Sequence, residues 1–121
     1  MSKILIPVSY GELIDKYTIL SIKKNKILCE KKIIYVEKEL HFVSNEIKKI
    51  DNIKLINLEI KNLIKINEEL WSLEDLINEK ISDEIFIETA KKIVQLNKQR
   101  FKVKDEINNK LNSDFKEQKN Y

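Results

Sequence analysis

The chain has 121 residues, 42% of them hydrophobic and 36% charged, with a formal net charge of +3. That length suits one domain able to bury a core without staples, while a single cysteine (Cys29) and a single histidine (His41) rule out an intrachain disulfide and leave too few ligands for a zinc site. Lysines interspersed with acids and one arginine argue against a nucleic-acid-binding face, no run reaches the ~20 apolar residues of a membrane span, and the chain reads as cytoplasmic.

Residues 1–8 read as a short β-like segment. Ile4, Leu5, Ile6 and Val8 favour extended backbone, Pro7 resists both a continued helix and a central strand position, and the run is too short for a signal peptide. A lone strand must lie on the helices or pair with a second copy. Ser9-Tyr10-Gly11-Glu12 matches a capping box, with Ser9 accepting from the Glu12 backbone N–H and Glu12 reaching back to that of Ser9. The helix it opens places Leu13, Tyr17 and Leu20 on one face and leaves Asp15, Lys16 and Lys23 off it. Gly11 allows either close backbone approach or an anion at the helix N-terminus. The apolar pattern continues through Ile34, Leu40, Val43, Ile47 and Ile50. It predicts one long helix over 9–50, bent near Asn25 and roughly 60 Å in length, with Cys29 packed within it and the basic run of Lys23 to Lys32 as a solvated face.

Asp51-Asn52 forms the next turn. A helix over 54–80 follows, its heptad stripe of Leu63, Ile66, Leu70, Leu73 and Ile77 being the seam of an antiparallel pairing. A second stripe on that helix carries Asn67, Trp71, Glu74 and Asn78, flanked by Asp75; Trp71 would bury a large ring and seek a partner for its N–H. Ser82 caps a third helix over 83–112, with Asp83 and Glu84 suiting the dipole of its first turn. The apolar stripe of this helix (Phe86, Ala90, Ile93, Val94, Phe101, Leu111) is interrupted on the same face by Asn97, Lys104 and Asn108, with Arg100 at its edge. Burying such groups unpaired costs roughly 2–7 kcal/mol each, so they are a paired structural seam or part of a site. A turn centred near Ser82 sets Asn67 opposite Asn97 and Glu59 opposite Lys104. The tail, 113–121, is loose or docks through Tyr121. The elements together predict a single helical domain over 1–121: an all-α, elongated three-helix arrangement in which a long first helix joins an antiparallel helical hairpin.

Three chemistries compete for the polar positions. An all-α magnesium phosphohydrolase gathers carboxylates from adjacent helices; Glu68-Glu69 and Glu74-Asp75 supply acids, but Ser72 takes the third place of a Glu-Glu-x-x-Glu run. A chorismate-mutase-like enzyme clamps a dicarboxylate with more than one arginine, whereas this chain offers Arg100 with Lys16 and Lys104 as poor substitutes. A binding or scaffolding module needs Asn67, Glu74, Asp75, Asn97, Arg100 and Lys104 only as a paired network that fixes register and oligomer state. Ser9, Glu12, Asp15 and Lys16 would then form a partner or ligand surface.

Several segments resemble a small family of bacterial proteins known only as a domain of unknown function. They are Pro7-Val8-Ser9 with Gly11-Glu12-Leu13-Ile14-Asp15-Lys16 and Thr18-Ile19-Leu20; Glu69-Leu70-Trp71 with Glu74-Asp75; Asn97 with Arg100, Lys104, Ile107 and Asn108; and Glu117-Gln118-Lys119-Asn120-Tyr121. Gln118 and Asn120 depart from the family's usual tail. Members of that family tend to occur near, or fused to, proteins of cell-surface polysaccharide synthesis such as glycosyltransferases, so the resemblance implies a partner in glycan chemistry. The expectation is a non-catalytic intracellular interaction or small-ligand-binding module, homo-oligomeric, with neither metal nor cofactor and no nucleic-acid partner. Its ligand-binding candidates are Ser9, Glu12, Lys16, Trp71, Asn97, Arg100 and Lys104. The alternative is a small all-α enzyme acting on a phosphorylated or anionic substrate, with Asp15, Glu74 and Asp75 as acid, base or magnesium ligands.

Overall fold

The computed structural model describes residues 2–120. Its regular elements there are all helical: α1 (Tyr10–Lys26), α2 (Glu30–Ile47), α3 (Asn57–Ile77) and α4 (Asp83–Lys110), with a 3-10 turn over Ile53–Ile56 leading into α3. Residues 2–9 carry no regular secondary structure, and among the described residues there is no second strand for Ile4, Leu5 and Ile6 to pair with. Lys3 Nζ instead lies 4.9 Å from the centre of the Phe42 ring on α2. The docking suggested for Tyr121 lies outside the described residues.

The single helix predicted over 9–50 is corrected to two. Ile27 (ψ 129°) and Cys29 (ψ 116°) are extended, and the chain turns back so that α2 packs along α1. The break lets Leu20, Val36 and Val43 bury one another, with Leu13, Tyr17, Leu40 and Ile47 around them. A continuous helix would have left the Leu13–Tyr17–Leu20 stripe without a partner. Neither glycine nor proline marks the break; its signature is charge, with Lys23, Lys24 and Lys26 in the last turn of α1 and Glu30 in the first turn of α2, each complementing its helix dipole. Cys29, expected inside a helix, is exposed at the N-cap of α2. The backbone N–H groups of Lys32 and Lys31 hold its thiol below the ordinary pKa.

α3 and α4 form the antiparallel hairpin and α1 lies across both. The main core gathers Ile14, Ile56, Leu63, Ile66, Leu70, Val103 and Ile107. The α3 heptad stripe is therefore buried at its N-terminal half and half-exposed at Leu73 and Ile77. On α4 the expected stripe shifts: Phe86 and Val94 are 47% and 56% exposed, and Val103 and Ile107 take the core positions. Ile85 and Ile87, in the first turns of α4, are exposed as well. α2 likewise leaves Ile34 and Tyr35 exposed, because it packs chiefly on α1. Asn52, in the predicted turn, adopts the left-handed conformation at φ 61°. No helix among the described residues is long and apolar enough to cross a membrane.

Candidate functional site

Beside its buried apolar residues, α1 buries two polar side chains, Asp15 and Thr18. Gly11, Asp15, Thr18 and Ile22 recur at helical spacing and are all buried, and the face they form meets the polar stripe of α4. Contact is close because position 11 lacks a side chain: a Cβ there would lie 2.5 Å from the Lys104 carbonyl oxygen. The first N–H groups of α1 are consumed by this packing. Tyr10 N–H donates to Ser113 Oγ at 3.2 Å, Gly11 N–H to Asn108 Oδ1 at 2.7 Å, and Glu12 N–H to Ser9 Oγ at 3.0 Å. Gly11 thus serves close approach. The capping box is half-formed, since the Glu12 carboxylate reaches Lys104 rather than the Ser9 N–H.

Ser113 is placed by the way α4 ends. Asn112 sits at φ 53°, the Ser113 N–H returns to the Asn108 carbonyl at 2.8 Å, and the Asn112 N–H to that of Asn109 at 3.4 Å. This is a Schellman closure with asparagine in the usual place of glycine. The chain then leaves the helix alongside Lys104, and the tail contributes Glu117 to the seam.

Asp15 is wholly buried at the centre. Arg100 Nε donates to its two carboxylate oxygens at 3.0 and 3.1 Å, Arg100 Nη2 donates to Oδ2, and Asn67 Nδ2 donates to Oδ1 at 3.0 Å. The Asn67 amide also reaches Thr18 Oγ1 at 2.7 Å, and that hydroxyl donates to the Asp15 carbonyl. Lys104, whose side chain is 7% exposed, donates to Glu12 at 2.8 Å and Glu117 at 3.0 Å, with Asp15 Oδ2 at 3.8 Å. Burial disfavours the charged forms of Arg100 and Lys104. The hydrogen bonds that Arg100 donates to Asp15, and Lys104 to Glu12 and Glu117, overcome that and raise both pKa values above the ordinary ones. Glu117 feels burial as an upward push, but its hydrogen bond to Lys104 carries its pKa below the usual carboxylate value.

The structure therefore brings Ser9, Glu12, Asp15, Arg100 and Lys104 together, and Asn67 with them. The register expected for the hairpin is corrected: Asn67 bonds to α1 and not to Asn97, and Glu59 pairs with Lys110 at 3.0 Å rather than with Lys104. The polar stripe of α4 turns to α1, so its groups cannot also face α3. Asn97 lines an open polar groove of about 470 Å³ with Glu12, Arg100, Phe101, Lys104, Glu117 and Lys119. Trp71 and Glu74 line a smaller cavity of about 130 Å³ on the other side of Arg100, beside Lys23 and Leu70. Asp75 is exposed on α3 and touches none of these groups. Lys16 points to α2, pairing with Glu39 at 2.7 Å. Thr18 and Glu117 stand in the sequence only as parts of the family-like segments, and neither they nor Ser113 are among the expected site residues. Thr18 lies one helical turn from Asp15, which is the signal that would have found it.

The chemistry open to this arrangement is limited. Both Asp15 oxygens are engaged by donors, so acting as a base or metal ligand would require breaking the buried pair. Among the described residues no three His, Cys, Asp or Glu side chains gather as a metal site.

A family model described as a family of unknown function, DUF6165, matches residues 4–121. No curated protein and no solved structure matches the chain. The chain belongs to the DUF6165 family.

Proposed function

We propose that this member of an unassigned family is a non-catalytic helical module that acts by binding: a cytoplasmic, homo-oligomeric interaction module serving the machinery of bacterial cell-surface polysaccharide synthesis. The observation that carries the non-catalytic reading is the internal neutralisation of the seam. Arg100 and Lys104, the two cations an anionic substrate would need, are paired with Asp15, Glu12 and Glu117. Exposed apolar side chains support a role in association: Ile34 and Tyr35 on α2, Ile85, Phe86 and Ile87 on α4, and Ile4, Leu5 and Ile6 before α1. Apolar surface of that kind marks interaction sites when it is contiguous. The Ile4–Ile6 run is the segment we assign to strand pairing with a second copy. The polysaccharide connection rests on the sequence resemblance.

A thermal-shift screen against nucleotide sugars, nucleotides, phosphosugars and divalent ions tests the reading. A ligand at a hundredfold excess over its Kd adds roughly 2.7 kcal/mol, which moves the midpoint by several degrees in a domain of this size. The interaction module gives no shift across the panel. A shift that disappears in Arg100→Lys overturns it in favour of a small enzyme or receptor for an anionic substrate, with Arg100 and Lys104 holding the anion.

A further inference from the structure

We infer that the link between α1 and α2 is a docking tip for an anionic lipid surface, with Leu28 as the side chain that enters the bilayer and Lys24, Lys26, Lys31 and Lys32 as the cations that meet its headgroups. The inference adds a partner to the interaction-module reading and stands on residues that reading does not use.

The break after Lys26 sets the geometry. Ile27 and Cys29 are extended, and Ile27 packs against the cluster of Leu20, Val36 and Val43. Successive side chains point to opposite sides of extended backbone, so anchoring Ile27 turns Leu28 outward. Leu28 is 93% exposed, more than any other large hydrophobic among the described residues. A single exposed leucine is ordinary on a protein surface; what sets Leu28 apart is its surroundings.

Residues 24–32 hold four lysines and one acid, a net charge of +3 that equals the formal charge of the whole chain, so the remaining residues balance one another. Two of the lysines close α1 and two open α2, on either side of a three-residue link with Leu28 at its middle. All four are exposed, and none makes an ion pair among the described residues, unlike Lys16, Lys49, Lys104, Lys110 and Lys119. The acid, Glu30, lies in the first turn of α2, where it complements the helix dipole.

An apolar side chain projecting from among unpaired cations suits a bilayer interface. Lysine stems lie along the apolar boundary while their ammonium groups reach lipid phosphates, and the leucine adds burial in the acyl region. A nucleic-acid backbone would use the cations but leave Leu28 in water. An apolar protein surface would cover Leu28 but desolvate cations without supplying a counter-charge. No helix among the described residues is long and apolar enough to cross a membrane, so the contact is peripheral.

The test is sedimentation of the full chain with vesicles of phosphatidylcholine alone and of phosphatidylcholine mixed with phosphatidylglycerol. Binding is expected to the mixed vesicles only, and it should weaken as salt rises. A lysine near an anionic surface contributes about fivefold in affinity, so Lys31→Gln with Lys32→Gln should weaken binding about 25-fold. Leu28→Asn leaves the charge unchanged and should weaken it about tenfold. A polarity-sensitive fluorophore on Cys29, the one cysteine and an exposed one, should shift to the blue on the mixed vesicles. Circular dichroism of the variants should match the parent, because every substituted position is exposed. Equal binding to both vesicles, binding to neither, an unshifted fluorophore, or Leu28→Asn binding as well as the parent overturns the inference. So does tighter binding to a DNA duplex than to mixed vesicles with the same dependence on Lys31 and Lys32, since the tip would then be a nucleic-acid contact. None of the tip residues lines the cavities beside Arg100, so this result and that of the small-ligand panel fail separately.

Discussion

At the scale of single residues, Asp15 governs the seam. It is wholly buried and hydrogen-bonded to Arg100 and Asn67. Removing one member of such a pair leaves the other charge buried and uncompensated, so Asp15→Ala should destabilise the chain by about 3–5 kcal/mol in urea unfolding. Asn67→Leu removes a donor shared by Asp15 and Thr18 and should cost about 1–3 kcal/mol by the same measurement. Asp75→Asn, at an exposed position, should fall within about 0.5 kcal/mol of the parent. The sequence pointed to Asn67, Arg100 and Lys104 because polar groups on an apolar stripe demand partners. It did not point to Asp15 as buried, because Asp15 lies off the Leu13–Tyr17–Leu20 stripe and an off-stripe acid normally faces water. What reverses that expectation is packing of α1 on both flanks, with α2 taking the apolar side and α4 the polar one.

At the scale of elements, the α3–α4 hairpin and its turns were legible, since heptad spacing, the Ser82 cap and the Asp51-Asn52 turn are local signals. The α1–α2 break was not, because its cause is tertiary: burial of Leu20 against Val36 and Val43. Cys29 marks that break. Exposed at a helix start with a lowered pKa, it should react with a thiol reagent at neutral pH faster than an ordinary thiol and without loss of helical circular dichroism. Thiol labelling that requires denaturant would contradict the break. The tail has its own pH signature. The pKa of Glu117 is lower in the folded chain than in the unfolded one, so the contact with Lys104 is complete above the unfolded carboxylate value of about 4.3 and is lost as pH falls through the folded value. NMR signals of residues 114–120 should move toward unstructured positions in that acidic window while those of α3 hold. For Lys104 the sign is opposite: its raised pKa contributes stability below the ordinary lysine value of about 10.4 and loses it as pH rises through the folded value.

At the scale of the whole molecule, the chain is two packed units sharing α1, an apolar cluster toward α2 and a larger core with a polar seam toward α3 and α4. The exposed apolar side chains of α2 and of the N-terminal half of α4 lie away from that core. Light scattering should therefore report a mass above one chain, and Tyr35→Glu with Phe86→Glu should lower it without lowering helix content. The central claim is that the Asp15–Arg100 pair is structural, and a double-mutant cycle of Asp15→Leu and Arg100→Met tests it most directly. The account expects each single variant to lose about 3–5 kcal/mol of stability and the double variant to lose less than their sum, with a coupling energy of about 0.5–3 kcal/mol. Single variants as stable as the parent, or more stable, would contradict it, because a buried pair kept at the expense of stability is the mark of a site.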